Sequence, residues 1–335
     1  MVKTRNQKKK VVAVMKLNAV ITDWSTMSMN GDISYSSIEG ICDSLTVYDL
    51  TPYDESTIID RIGNAEILLC NKTPITKKVM QSCKNLKYIG LFATGYNNID
   101  IPSSQEFGIT VCNAGEYSTN AVAQHVFAMI LNHYSKIDTY NTDVQNGNWI
   151  NSKTFSYFPY DTYELSNKVI SIIGYGSIGK KVSEIASAFG MKVLINTRTT
   201  PKDCPYECVS KEEAFKRADI VTLHCPLTEQ TSNLVCKQTL SLMKKNAILI
   251  NTSRGGTVNE LDLSNALKNG TIARAYLDVL NQEPMSQDTP LIGTPNVVIT
   301  PHIAWSPLET RLRLMDIVAN NLKSFLGGNT INRVN

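Results

Sequence analysis

The sequence predicts an α/β protein of two doubly wound, parallel-sheet units, on three observations. Short apolar runs alternate with helix-compatible segments from residue 168 onward, and a glycine-rich hexamer follows the first of these runs. A second, smaller alternation of the same kind fills the first 110 residues. At 335 residues the chain has the length of about two domains. Its 42% hydrophobic and 19% charged residues provide enough apolar material for two cores and exclude global disorder.

In the second half, strands are expected at 168–173, 192–196, 219–224, 247–251, 274–279 and 296–300. Between them lie helical stretches such as 211–217 and 259–268. Continuous apolar runs of this length, interleaved with helices, belong to strands buried on both faces of a parallel sheet. Six of them complete a doubly wound unit. In the first half the candidate strands are 11–15, 45–48, 67–70, 88–92 and 109–111. Ser118, Thr119 and Asn120 look like an N-cap. Behind them Val122, Val126, Met129, Ile130 and His133 recur at helical spacing, predicting one long helix to about Asn141. A last helix is expected from about Pro307 to Phe325, but periodicity does not say where it packs.

Charge and cysteine usage narrow the function classes. The net charge is +3, yet Lys3, Arg5, Lys8, Lys9 and Lys10 sit in a first decapeptide without acids, read as a solvated basic extension, 1–10. The rest of the chain is close to neutral and gives no reason to expect nucleic acid. No apolar run approaches the roughly 18 residues of a membrane span. The run after Lys10 is interrupted by Lys16, too soon for a signal-peptide core. Eight cysteines are scattered without a dense framework, so reduced thiols and a cytoplasmic location are expected. Cys204 and Cys208 lack a second Cys or His pair, and no metal is expected.

The hexamer Gly174-Tyr175-Gly176-Ser177-Ile178-Gly179 is a G-x-G-x-x-G. The apolar run 169–173 leads into it, and Ile178, Val182, Ile185 and Phe189 behind it fall on one helical face. Gly174 allows a tight turn, Gly176 lets the backbone approach a pyrophosphate, and Gly179 lets helix and strand pack closely. The helix start then offers N–H groups and a positive dipole end to the phosphates. This is an NAD(P)-binding Rossmann unit in outline. An acid at the end of the next strand would bind the ribose hydroxyls of NAD. Here the chain reads Asn196-Thr197-Arg198-Thr199, without a carboxylate. Arg198 suits a 2′-phosphate, with the hydroxyls of Thr197 and Thr199 beside it. NADP(H) is slightly favoured over NAD(H), a solvated Arg198 being the alternative.

Three further loops follow predicted strands, on the edge where open α/β sheets bind ligands. They carry Arg254 in N-T-S-R-G-G, Glu283 in L-D-V-L-N-Q-E-P and His302 in T-P-H-I-A-W. Reduction of a 2-keto acid needs a cation for the carboxylate and an acid for the carbonyl oxygen. An imidazole stabilised in its charged form by a carboxylate meets the second need. Singly, each residue has an ordinary structural reading; in this order behind a dinucleotide loop, together they point to an active site.

These motifs closely resemble the D-isomer-specific 2-hydroxyacid dehydrogenase family. The resemblance runs from about residue 45 to 325 and includes Ala93-Thr94-Gly95-Tyr96-Asn97-Asn98-Ile99-Asp100, the helix start from Tyr117 to His125, and His224-Cys225-Pro226-Leu227-Thr228. The A-T-G-Y-N and H-I-A-W forms look most like glycerate dehydrogenases and hydroxypyruvate reductases, and N-T-R-T is similar to NADP(H)-preferring members. The resemblance implies a flavodoxin-like substrate domain, 11–112 and 303–335, interrupted by the Rossmann domain, 113–302. It also implies a homodimer, with the active site between the domains. Arg254 would hold the substrate, His302 would be general acid for reduction and base for oxidation, and Glu283 would stabilise the charged His302. N–H groups around Thr94 and Gly95 would clasp the carboxylate. Ser177 and Ile178 would meet the pyrophosphate, Pro226 and Thr231 the adenosine side, and Thr252 and Asp278 the nicotinamide. Asn120 departs from an acid common in the family. Hydroxypyruvate or glyoxylate is the first substrate expected and a bulkier keto acid such as phenylpyruvate the second. A dinucleotide-sensing, corepressor-like binding protein is the alternative of another class.

Overall fold

The computed structural model describes residues 17–28 and 30–335. The strand expected at 11–15 and the basic decapeptide lie outside the described residues. The chain forms two compact units, one running to Tyr117 and resuming at Pro307, the other Ser118–Ser306. The divisions thus fall a few residues beyond 112 and 302. Residues 113–117 stay with the first unit because Asn113 N–H donates to the Asn332 carbonyl at 3.1 Å, and Arg313 donates to the Tyr117 carbonyl at 2.9 Å. Residues 303–306 stay with the second because Ile303 and Ala304 donate their N–H groups to Asp278, each at 2.9 Å.

Among the described residues the first unit holds five parallel strands: β1 (Asn18–Ile21), β2 (Ser44–Val47), β3 (Ile67–Cys70), β4 (Tyr88–Leu91) and β5 (Thr110–Cys112). Their order is β2-β1-β3-β4-β5, the flavodoxin-like doubly wound arrangement. Central β3 and β4 are buried at every residue, as expected of strands covered on both faces. Strand β1 starts at Asn18 and was not anticipated, since Lys16 and Asn18 break up the apolar pattern. The last helix, Leu308–Leu326, packs against this sheet. The Phe325 ring lies 4.7 Å from that of Tyr88, and Asn321 donates to the Asn113 carbonyl at 2.8 Å.

The second unit holds seven parallel strands: β6 (Val169–Ile173), β7 (Lys192–Asn196), β8 (Glu207–Cys208), β9 (Ile220–Leu223), β10 (Ile248–Asn251), β11 (Arg274–Leu277) and β12 (Val297–Ile299). The order β12-β11-β10-β9-β6-β7-β8 is the Rossmann arrangement with one added edge strand. It reverses between β6 and β9, where such sheets bind their ligands. The added edge strand is β12; β8, the strand the sequence does not predict, has only two residues and no pattern of its own to read.

Two helices depart from expectation. The long helix is two, Thr119–Ser135 and Ile137–Gln145, separated by Lys136 in left-handed conformation (φ 52°). Neither Gly nor Pro marks the break in the sequence. Ser118 occupies the N-cap position, but its hydroxyl caps nothing. In the helix Ser177–Ala188 the buried face is Gly179, Val182, Ser183 and Ala186, offset from the predicted stripe. Phe189 is exposed and stacks on Phe127 at 5.5 Å.

Candidate active site

Six loops of the second unit leave the carboxyl ends of its parallel strands with predicted site residues on them. After β6, Gly174 turns with φ 97°, and a Cβ there would come within 2.6 Å of the His224 carbonyl oxygen. A Cβ at Gly179 would collide with the Gly174 carbonyl, whereas Gly176 faces open space. Helices at Asp54, Asp100, Ser210 and Asn259 begin with a side chain accepting a first-turn N–H. The helix Ser177–Ala188 begins at Gly176 with no such cap, so its first N–H groups, those of Ser177 and Ile178 among them, have no side-chain acceptor. An uncapped start beside an open cradle suits a pyrophosphate.

After β7, Thr197 is half-buried and Arg198 exposed, and no described residue accepts from the Arg198 guanidinium. After β9, Pro226 is exposed, and the Thr231 hydroxyl donates to its carbonyl at 2.6 Å, closing a turn. The hydroxyl expected on the adenosine side is therefore engaged within its own loop. His224, at the start of this loop, lies 2.9 Å from Thr222 Oγ1, and burial pushes it down to about 3. It stays neutral at neutral pH.

After β10, buried Asn251 organises the arginine loop. Its Nδ2 donates to the Arg254 carbonyl at 2.9 Å, and its Oδ1 accepts from Ser253 N–H at 3.0 Å. Arg254 is half-buried, extended (φ −145°, ψ 137°), and donates through Nη1 to the Ser253 carbonyl at 2.7 Å. The remaining guanidinium N–H donors are enough for a carboxylate. Thr252 is buried, and its hydroxyl has no partner among the described residues. An orphaned buried hydroxyl calls for a ligand group, and Thr252 is a residue expected at the nicotinamide. The open cradle and this hydroxyl fit a dinucleotide.

After β11 and β12, Glu283 and His302 meet. Glu283 Oε2 lies 2.6 Å from His302 Nδ1, and its Oε1 accepts from Leu280 N–H at 3.0 Å. A carboxylate only accepts, so Nδ1 carries a proton and Nε2 is left for chemistry. Both side chains are partly exposed, as access to a substrate requires. His302 is left-handed (φ 56°), a costly conformation for a side-chain-bearing residue. Its N–H donates to the Asp278 carbonyl at 2.8 Å. The Asp278 carboxylate, expected at the nicotinamide, is buried and accepts from Thr300, Ile303 and Ala304.

Sequence reading missed the residues that join these loops. Gly255 lies against the Leu280 and Asn281 backbone, and Glu260 accepts from Asn281 N–H at 2.7 Å. Gly255 was visible as half of a Gly pair behind Arg254; Glu260 showed only as an acid in a helix's first turn. Thr94 and Gly95 lie in the first unit, on the loop after β4. The Thr94 hydroxyl donates to the Gly115 carbonyl, and the Thr94 carbonyl accepts from Asn113 at 2.7 Å. Among the described residues no group of three or more His, Cys, Asp or Glu is placed to hold a metal, and no helix is long and apolar enough to cross a membrane.

Comparison with known proteins decides the family. The sequence model described as "D-isomer specific 2-hydroxyacid dehydrogenase, NAD binding domain" matches residues 127–304. A hydroxypyruvate reductase of Blautia hydrogenotrophica is 40% identical over 311 residues, 91% of this chain and 96% of that one. This chain belongs to the D-isomer-specific 2-hydroxyacid dehydrogenases. A glycerate dehydrogenase of Methylorubrum extorquens is 38% identical, covering 83% of this chain and 88% of that one. An acyclic imino acid reductase, Bsp5, solved with NADPH and D-Arg, superposes with a TM-score of 0.83 at 33% identity, covering 95% of this chain and all of that one. As a D-2-hydroxyacid dehydrogenase, the chain is an oxidoreductase that uses a nicotinamide dinucleotide and interconverts 2-keto and 2-hydroxy acids.

Proposed function

We propose that this dehydrogenase reduces hydroxypyruvate or glyoxylate to the D-2-hydroxy acid, with NADPH favoured over NADH, as a cytoplasmic homodimer. The observation that carries the reading is the 2.6 Å contact between His302 Nδ1 and Glu283 Oε2, in the unit that also holds the uncapped, glycine-lined helix start. When bound, the dinucleotide supplies a hydride to the keto carbon. Glu283 holds the Nδ1 proton and stabilises the imidazolium, so Nε2–H of His302 is the acid for the carbonyl oxygen. Arg254 pairs with the substrate carboxylate through a planar fork that fixes its orientation.

Relatives named hydroxypyruvate reductase, glycerate dehydrogenase and glyoxylate reductase support the substrate class. The Arg198 guanidinium, which has no acceptor among the described residues, and the absence of an acid in the segment 196–200 support NADPH. Eight free cysteines suit a reducing compartment. The dimer is supported by an apolar stretch of the second unit, where Ile150, Phe155 and Phe158 are each more than 80% exposed. Such a patch calls for a cover, and a second copy supplies it. Light scattering should give twice the chain mass and a shift toward monomer in a Phe155→Ser, Phe158→Ser variant.

Dinucleotide oxidation followed at 340 nm tests the activity, crossing NADH and NADPH with hydroxypyruvate, glyoxylate, pyruvate and phenylpyruvate. Fast turnover of hydroxypyruvate or glyoxylate with NADPH is expected. Preference for NADH demotes Arg198 to a loop residue, and preference for phenylpyruvate moves the substrate to a bulkier keto acid. Silence with every pair, from protein that binds dinucleotide, favours the sensor.

A further inference from the structure

Away from Glu283, a second chain of polar groups runs behind the His302 loop. His125, on the helix Thr119–Ser135, places Nε2 3.1 Å from Thr300 Oγ1. The Thr300 hydroxyl donates to Asp278 Oδ1 at 2.5 Å. The same Oδ1 accepts from Ile303 N–H, and Oδ2 accepts from Ala304 N–H. His125 Nε2 also lies 3.6 Å from Asp278 Oδ1. The direction of the chain follows from its members. A hydroxyl has one proton; Thr300 gives it to Asp278, so the His125 ring is the donor to Thr300. Residues 300, 303 and 304 are thus held on both sides of His302, which is left-handed and persists there only if its surroundings fix it.

We propose that His125 is a positioning residue for the acid: its Nε2–H sets the Thr300 hydroxyl, which sets the Asp278 carboxylate, which holds the 300–304 loop with the His302 imidazole turned to Glu283. The proposal rests on the reading of His302 as the acid. Three loop donors take three of the about four acceptor sites of the Asp278 carboxylate, so holding the loop is compatible with the place beside the nicotinamide that the resemblance gives it.

The test compares His125→Phe, which keeps a ring and removes the donor, with His125→Gln, whose amide N–H reaches the same place. Readouts are kcat and KM for hydroxypyruvate reduction and the dinucleotide Kd from fluorescence. His125→Phe should lower kcat about 10- to 100-fold, as a misplaced catalytic group does, with dinucleotide Kd and KM within about twofold. His125→Gln should recover most of the rate. Thr300→Val breaks the chain one link further on and should reproduce the loss. Adding His125→Phe to it should cost little more, because residues of one network are not additive. Wild-type kcat in His125→Phe overturns the proposal. So do failure of Gln to recover the rate in folded protein, and full additivity of the two losses. Should His125→Phe fail to fold, His125→Gln and Thr300→Val decide between the same outcomes. An enzyme that needs His302 but ignores His125→Phe sinks only the positioning role. Keto-acid reduction unaffected by His302→Ala sinks the acid assignment itself.

Discussion

Gly255 packs so closely on Leu280 that a Cβ at Gly255 would land on the Leu280 carbonyl. The contact links the loop of Arg254 to the loop of Glu283, whose Oε1 accepts from Leu280 N–H at 3.0 Å. Backbone cannot yield as a flexible side chain does. Gly255→Ala should therefore push the two loops apart, costing about 1–3 kcal/mol of stability and about 100-fold in kcat/KM. Urea unfolding and steady-state kinetics check both; an Ala variant with wild-type kcat/KM would show that the two loops need no such contact.

Replacing Glu283 with Gln keeps the shape and removes the charge. The carboxylate at 2.6 Å fixes the imidazole and holds its Nδ1 proton, so Glu283→Gln should lower kcat for reduction about 10- to 100-fold with the dinucleotide Kd unchanged. A wild-type kcat in steady-state assays takes Glu283 out of the acid–base pair.

The open space at Gly176 predicts a different failure. Gly176→Asp fills the cradle and sets an anion where phosphates would lie, so NADPH and NADH binding should weaken at least about 100-fold, roughly 2.7 kcal/mol. Fluorescence titration measures it. Unchanged affinity would place the pyrophosphate elsewhere.

Acid sensitivity follows from two histidines. Burial, with Arg274 and Lys136 nearby, pushes His133 down to about 4, and burial pushes His224 down to about 3. The unfolded chain takes up these protons near pH 6.5 and the fold refuses them until far lower pH. Stability should therefore fall as pH drops from about 6.5 toward 4. His133→Phe should flatten that loss in urea titrations at pH 7 and 5. An equal loss in the variant would assign the acid sensitivity to other groups.

Most of the sheet framework was legible because buried parallel strands are written as continuous apolar runs: β3, β7 and the helix Lys211–Arg217 lie where the pattern put them. What escaped had no pattern to leave. A two-residue strand at Glu207, a left-handed Lys136 and a helix face set by Gly179 and Ser183 are decided by packing. The site divided the same way. His302 and Glu283 are brought together, but Glu260 and Gly255, which contact the Glu283 loop, and Asn251, which organises the arginine loop, carry no chemistry that a sequence advertises. The three loop contacts of the Asp278 carboxylate show only in three dimensions.

The central claim is that His302 delivers the proton. Steady-state reduction of hydroxypyruvate by His302→Ala, with NADPH binding checked by fluorescence, tests it most directly. Dinucleotide affinity should be retained while kcat falls at least about 100-fold, the lower range for general acid catalysis. A variant that binds NADPH and still reduces the keto acid at the wild-type rate would contradict the account.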